Sequence, residues 1–203
     1  MSNNQNNENM EIGMPISYDH EEFKQIIEIA ASFTNKGQHD NPPQFAIITG
    51  GVGSGKTTVR KDKYGSGYVN LDFVDVLKAV KMAIGTDNQR LMDTAAITFR
   101  IIMNDSFAEK KNVVIEIIGD NYELIEKLLD AVKKLEYDIH IDFVDCEPIE
   151  AYKRHVKAVM EDPDYVSAFY AQDVTLSYLF QCLELGEYPV RAEEEARTSD
   201  VNG

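Results

Sequence analysis

From Phe45 onward, short continuous apolar runs alternate with longer segments whose apolar residues recur every three or four positions. The run Phe45–Thr49, bounded by Gly-rich sequence, and the run Asn112–Ile118 have the composition of buried strands. Tyr68–Leu71 and Ile139–Val144 read as two further strands. Between them, Lys56–Lys63 predicts a short helix that ends near Gly65 and Gly67. Val74, Leu77, Val80 and Ile84 mark a second helix, and Leu91–Lys110 a longer one. Leu124, Leu128, Val132 and Leu135 form the stripe of another, opened by Asp120 with Glu123. Ahead of the first strand, Phe23, Ile26, Ile27, Ala30 and Phe33 recur at helical spacing. Asp19 and Glu22 provide a capping-box start for that helix, and Lys36-Gly37 its stop. Pro148, suited to a first helical turn, opens a helix running to about Met160. After the break at Glu161–Asp164, Tyr165–Leu185 is helical and Gly186 ends it.

Strands alternating with helices imply a parallel sheet with helices on both faces, an α/β architecture. A single domain spans 15–188. Residues 1–14, rich in Asn with little to bury, form a disordered tail, and 189–203 an acidic one. Composition narrows the class further. Twenty Lys and Arg face thirty-five Asp and Glu, a net charge of −15 that argues against general nucleic-acid binding. There is no membrane-spanning run and no signal-peptide pattern, and two cysteines are too few for a disulfide framework. A cytoplasmic protein is the expectation. The charge is uneven: net −5 over 1–44, +3 over 45–115 and −13 over 116–203. Only the middle segment is positive, as suits a place where an anion binds.

That segment carries Gly50-Gly-Val-Gly-Ser-Gly-Lys-Thr57, a match to G-x-x-x-x-G-K-[ST]. A chance match in a chain this long is roughly 1%, and the strand before it and helix after it are the context the motif requires. Glycines let backbone N–H groups converge on phosphate oxygens, and the helix N-terminus adds its positive dipole end. The expected nucleotide-binding residues are Gly51, Val52, Gly53, Ser54, Gly55, Lys56, Thr57 and Thr58. Lys56 is expected at the β- and γ-phosphates and the Thr57 hydroxyl on Mg²⁺. ATP or GTP is the implied ligand.

In a parallel sheet, ligands sit beyond the carboxyl ends of the strands, so the polar residues there carry the chemistry. Asp72 follows one strand and Glu116 lies within another. Either carboxylate could take a proton from a hydroxyl nucleophile or help hold Mg²⁺. The competing role for Asp72 is a helix N-cap; Asp75, one turn on, is its rival. Glu116, charged inside an apolar strand, calls for a partner. Arg154, on the helix after the fourth strand, is placed to stabilise transferring phosphate, against the alternative of a solvated charge beside Lys153 and Lys157. Arg60, Lys61 and Lys63 read as a solvated helix face.

Taken in order, these features resemble the zeta-toxin-like P-loop kinases. Asn41–Thr57 looks like that family's Pro-containing lead-in, strand and Walker loop, and Tyr68–Asp72 its strand ending in a catalytic aspartate. Asn112–Glu116 is similar to the strand bearing its substrate-binding glutamate, and Pro148 through Arg154 to Pro163 to the segment with its first phosphate-contacting arginine. The resemblance implies a three-layer P-loop NTPase/kinase fold. It also implies Lys56, Asp72 and Arg154 as catalytic residues, with Asp72 as base and Arg154 on the γ-phosphate. Asp72 and Glu116 would bind the acceptor, and Thr57 the Mg²⁺. Family members phosphorylate UDP-N-acetylsugars and are held inactive by a small helical antitoxin, so an acceptor and a partner of those kinds are implied here. One departure stands out: where the family places a second arginine, this chain has Ser167.

The leading expectation is thus a kinase moving a γ-phosphoryl group to a small-molecule hydroxyl. A nucleotide-binding module or degenerate kinase acting through a partner protein is the alternative, motivated by Ser167. A polynucleotide 5′-kinase fits less well, because Phe73–Lys78 lacks the arginine usual after the aspartate and the acidic balance is wrong.

Overall fold

A computed structural model describes residues 18–85, 88–119 and 122–161, together with Leu179 and Leu183. Six helices and four strands follow one another along them, alternating except where α4 follows α3. They are α1 (His20–Thr34), β1 (Gln44–Thr49), α2 (Lys56–Tyr64), β2 (Val69–Asn70), α3 (Phe73–Ile84), α4 (Asn88–Ala108), β3 (Val113–Ile117), α5 (Tyr122–Lys134), β4 (Asp138–Phe143) and α6 (Pro148–Glu161). The helix expected over 165–185 and both predicted tails lie outside the described residues.

The strands form one parallel sheet in the order β2-β3-β1-β4. β1 sits inside it, pairing Phe45 with Val113 on one side and with Ile139 on the other. Because side chains alternate along a strand, Phe45 and Ile47 face one layer and Ala46 and Ile48 the other. The first layer is the main core: Phe45, Ile47, Val113 and Ile115 pack with Val76 of α3, Phe99 of α4, Ala30 of α1 and Leu128 of α5. Phe73 meets Phe99 edge-on with ring centroids 5.7 Å apart, a favoured aromatic geometry. The second layer is thinner, with Ala46, Ile48 and Val114 under Val59 and Tyr64 of α2. This contact seats α2 on the sheet, and with it the loop that precedes it.

Local signals account for several boundaries. Asp19 caps α1 by accepting from Glu22 N at 2.9 Å, and the Glu22 carboxylate returns to Asp19 N at 3.2 Å. In α4, Thr94, Thr98 and Ser106 are buried polar residues inside an apolar layer. Each donates its hydroxyl to the carbonyl four residues earlier, at 2.7, 2.8 and 2.6 Å, so none carries an unmet donor into the core. β4 is an edge strand, with Ile141 and Phe143 largely exposed, and α6 buries none of its residues. Among the described residues no helix is long and apolar enough to cross a membrane.

Candidate active site

The loop Gly50–Gly55 leaves the carboxyl end of β1 and enters α2 at Lys56. Its path is one that only glycine permits at the decisive points. Gly53 has φ +74°, and a Cβ there would collide with the Ala151 carbonyl oxygen in the first turn of α6. At Gly50 a Cβ would strike the Val144 carbonyl oxygen just beyond β4. The loop backbone is therefore seated directly on two neighbouring segments, with no side chain between.

Lys56 is buried and folds back over the loop, donating to the carbonyls of Gly50 at 2.8 Å and Gly51 at 3.0 Å. Burial lowers its pKa, while the nearby Glu116 charge works against that shift. An ammonium held by two neutral carbonyls is ready to exchange them for phosphate oxygens, which are stronger acceptors. Ser54 is 7% exposed and its Oγ has no hydrogen-bond partner among the described residues. An orphaned hydroxyl inside a glycine-built cradle fits a ligand rich in acceptor oxygens.

Around this loop the sheet collects the predicted residues. Glu116 of β3 lies beside Ile48 of β1 in register, on the face that α2 covers. Its Oε2 accepts the Thr57 hydroxyl at 2.9 Å and its Oε1 the Arg60 Nε at 2.5 Å. Asp72, just past β2, caps α3: its Oδ1 accepts from Val74 N at 2.9 Å. The competing cap role therefore holds for this carboxylate. Burial raises the Asp72 pKa to about 6, the Asp75 and Glu116 charges adding to the rise, while the Val74 N–H and Arg60 oppose it. Arg154 reaches over from α6, its Nη1 3.4 Å from the Ser54 carbonyl oxygen. It is exposed, as Lys153 is, but its guanidinium lies against the loop. Among the described residues no group of three or more His, Cys, Asp and Glu side chains is arranged to hold a metal ion. Thr57, in the first turn of α2, is an exposed hydroxyl that could serve as one protein ligand to an ion held mainly by phosphate oxygens.

Arg60 corrects the sequence reading. Its side chain is 12% exposed, not solvated, and bridges Glu116 and Asp75, whose Oδ2 is 3.7 Å from Nη2. Lys61 does face solvent, and Lys63 is half-exposed on Asp142. Asn70, at the end of β2, also enters the cluster by donating Nδ2 to Asp75 Oδ2 at 2.8 Å. A charge one helical turn after the loop lysine, on the side shared with Thr57, is the signal that could have found Arg60. Ser167 lies outside the described residues.

No protein-family model matches the chain, and no curated protein matches it. A solved structure does: one from the PezAT chromosomal toxin–antitoxin system of the human pathogen Streptococcus pneumoniae, 17% identical. It aligns with a TM-score of 0.54 over 84% of this chain and 74% of that one. At that identity the likeness is one of fold. The expectation read from the sequence holds at that level: the chain has a parallel α/β fold with a phosphate-loop motif after β1, similar to the fold of a structure from that toxin–antitoxin system.

Proposed function

We propose that the chain is a phosphotransferase that moves the γ-phosphoryl group of ATP or GTP to a hydroxyl of a small molecule. The observation that carries this reading is a single juxtaposition. A phosphate loop with a buried lysine, and a threonine hydroxyl that donates to Glu116, lies at the sheet end that also carries Asp72, a carboxyl pushed up to about 6 by burial. A carboxylate raised in this way suits a general base for a hydroxyl acceptor.

The residues divide the work. Backbone N–H groups of Gly51 to Thr58, with Lys56, hold the triphosphate, and Thr57 is the protein ligand for Mg²⁺. When bound, the ion supplies neutralisation of charge on the transferring group. Asp72 takes the proton from the acceptor hydroxyl as the oxygen attacks, and its raised pKa makes it a competent base near pH 7. Glu116 holds the acceptor hydroxyl beside it. Lys56 and Arg154 stabilise charge on the phosphoryl oxygens in transfer, where fixed cations act most strongly. A nucleotide sugar of the UDP-N-acetyl kind is the acceptor to test first, and a small antitoxin-like protein the partner, on the strength of the likeness in fold.

The test is direct. Purified protein with Mg²⁺-ATP and a panel of UDP-sugars, nucleosides and 5′-hydroxyl oligonucleotides should add the mass of one phosphoryl group to a small hydroxyl acceptor. Nucleotide binding through Lys56 with transfer to no acceptor would instead identify a binding module.

A further inference from the structure

Arg60 stands between the two halves of this site. Its Nε is 2.5 Å from Glu116 Oε1, and the opposite oxygen of the same carboxylate receives the Thr57 hydroxyl at 2.9 Å. Glu116 is thus gripped at both oxygens, by the phosphate loop on one side and by Arg60 on the other. The far end of the guanidinium faces Asp75 at 3.7 Å, and Asp75 is fixed in turn by Asn70. Three carboxylates, of Asp72, Asp75 and Glu116, crowd a site that lies against the sheet, and Arg60 is the cation that contacts two of them. Lys56 is committed to the loop carbonyls. A planar fork is the side-chain geometry that serves two carboxylates in fixed directions; an ammonium is a point charge on a flexible stem.

Resting on the kinase reading above, we propose that Arg60 is a positioning residue of the phosphotransferase: it holds Glu116 turned towards Thr57 and Asp75 towards Asn70, fixing the acceptor side of the site relative to the phosphate loop. It acts through Glu116 and not on the phosphate. Its loss therefore leaves nucleotide affinity largely intact and misplaces the acceptor. Misplacement on the scale of an ångström costs on the order of 10²-fold in rate.

Two variants separate fork from charge. Arg60→Lys keeps the charge without the fork, and Arg60→Met removes both. In each, Mg²⁺-ATP affinity by titration calorimetry is expected to stay within about threefold while kcat falls on the order of 10²-fold. A second readout needs no turnover: the Asp72 side-chain carboxyl, followed by ¹³C NMR in the nucleotide-free protein. The groups facing it are Asp75, Glu116, Arg60 and the Val74 N–H. Its midpoint is expected to rise in Arg60→Met and to stay in place in Arg60→Lys. Full recovery of kcat in Arg60→Lys would overturn the positioning role in favour of simple charge balance. An Asp72 midpoint unmoved in Arg60→Met, with kcat unchanged, would overturn it altogether. If the wild-type chain transfers no phosphoryl group, the kinase reading fails, and the Asp72 midpoint still decides whether Arg60 governs this cluster. Arg60→Gln, with a planar amide able to donate to Glu116, replaces Arg60→Met if the latter does not fold.

Discussion

Asp72→Asn should make the protein more stable and disable it at the same time. The native state holds this carboxyl at a pKa of about 6, against 3.8 for an unperturbed one. Between those values the folded chain binds more protons than the unfolded chain, so this group's contribution to stability falls as pH rises from about 4 to about 6. A shift of about two units amounts to about 3 kcal/mol of penalty once the group is ionised, at pH 7 and above. Partial solvent access trims that to about 1–3 kcal/mol. Asparagine abolishes the buried charge and keeps the cap on Val74 N, since Asn and Asp are equally good N-cap residues. The expected result is a variant more stable than wild type by about 1–3 kcal/mol at pH 8, or about 2–12 °C in Tm for a chain of this size. Near pH 4 the two proteins should be nearly equal. Urea denaturation at both pH values measures the difference, and other carboxylates cancel because both proteins carry them. Phosphoryl transfer should drop about 10²–10⁴-fold, the usual contribution of a general base. Equal destabilisation at pH 4 and pH 8 would show that the carboxylate is not desolvated in the fold. Undiminished transfer would remove it as the base.

Other outcomes follow from the same geometry. Transfer should fall as pH drops through about 6, because the base must be ionised, and this acid limb should be absent from the residual activity of Asp72→Asn. Lys56→Met should weaken Mg²⁺-ATP binding by about tenfold or more, read by calorimetry, since it removes charge-assisted hydrogen bonds to phosphate. Gly53→Ala should impair both nucleotide binding and thermal stability, because its φ of +74° and the Ala151 carbonyl leave no room for a methyl group. Phe99→Ala, at a fully buried position against Phe73, should cost about 3–5 kcal/mol in urea denaturation without altering the residues around the loop.

What the sequence revealed and what it hid divide along a physical line. The capping box at Asp19 and Glu22, the strand–loop–helix around Gly50–Thr57 and the Pro148 helix start are local, each encoded within a few residues. They were legible for that reason. Arg60 was misjudged because its neighbours Lys61, Asp62 and Lys63 have the composition of a solvated helix face. Only the packing of α2 across β3 turns that one position onto Glu116, a residue far away in the chain. Asp75 was weighed merely as a rival to Asp72. Its actual place, between Asn70 and Arg60, depends on how β2 passes into α3. The exposure of β4 was hidden for a similar reason: Ile139, Ile141 and Phe143 are as apolar as a buried strand, and their position at the sheet edge is set by strand order.

That strand order has a consequence during synthesis. The central strand β1 pairs with β3 and β4, and its partners for Phe45 are Val113 and Ile139. On a ribosome the phosphate loop therefore emerges long before either strand that flanks it, and no hairpin can shelter β1 meanwhile. Pairings this distant in sequence close slowly, since loop-closure entropy must be met before the contacts repay it. The apolar run Phe45–Ile48 waits unpaired through the translation of roughly seventy further residues, an interval of several seconds at ordinary elongation rates. A nascent chain that stalls before β3 is thus left with its most buried strand exposed, and protection by chaperones should matter most in that window.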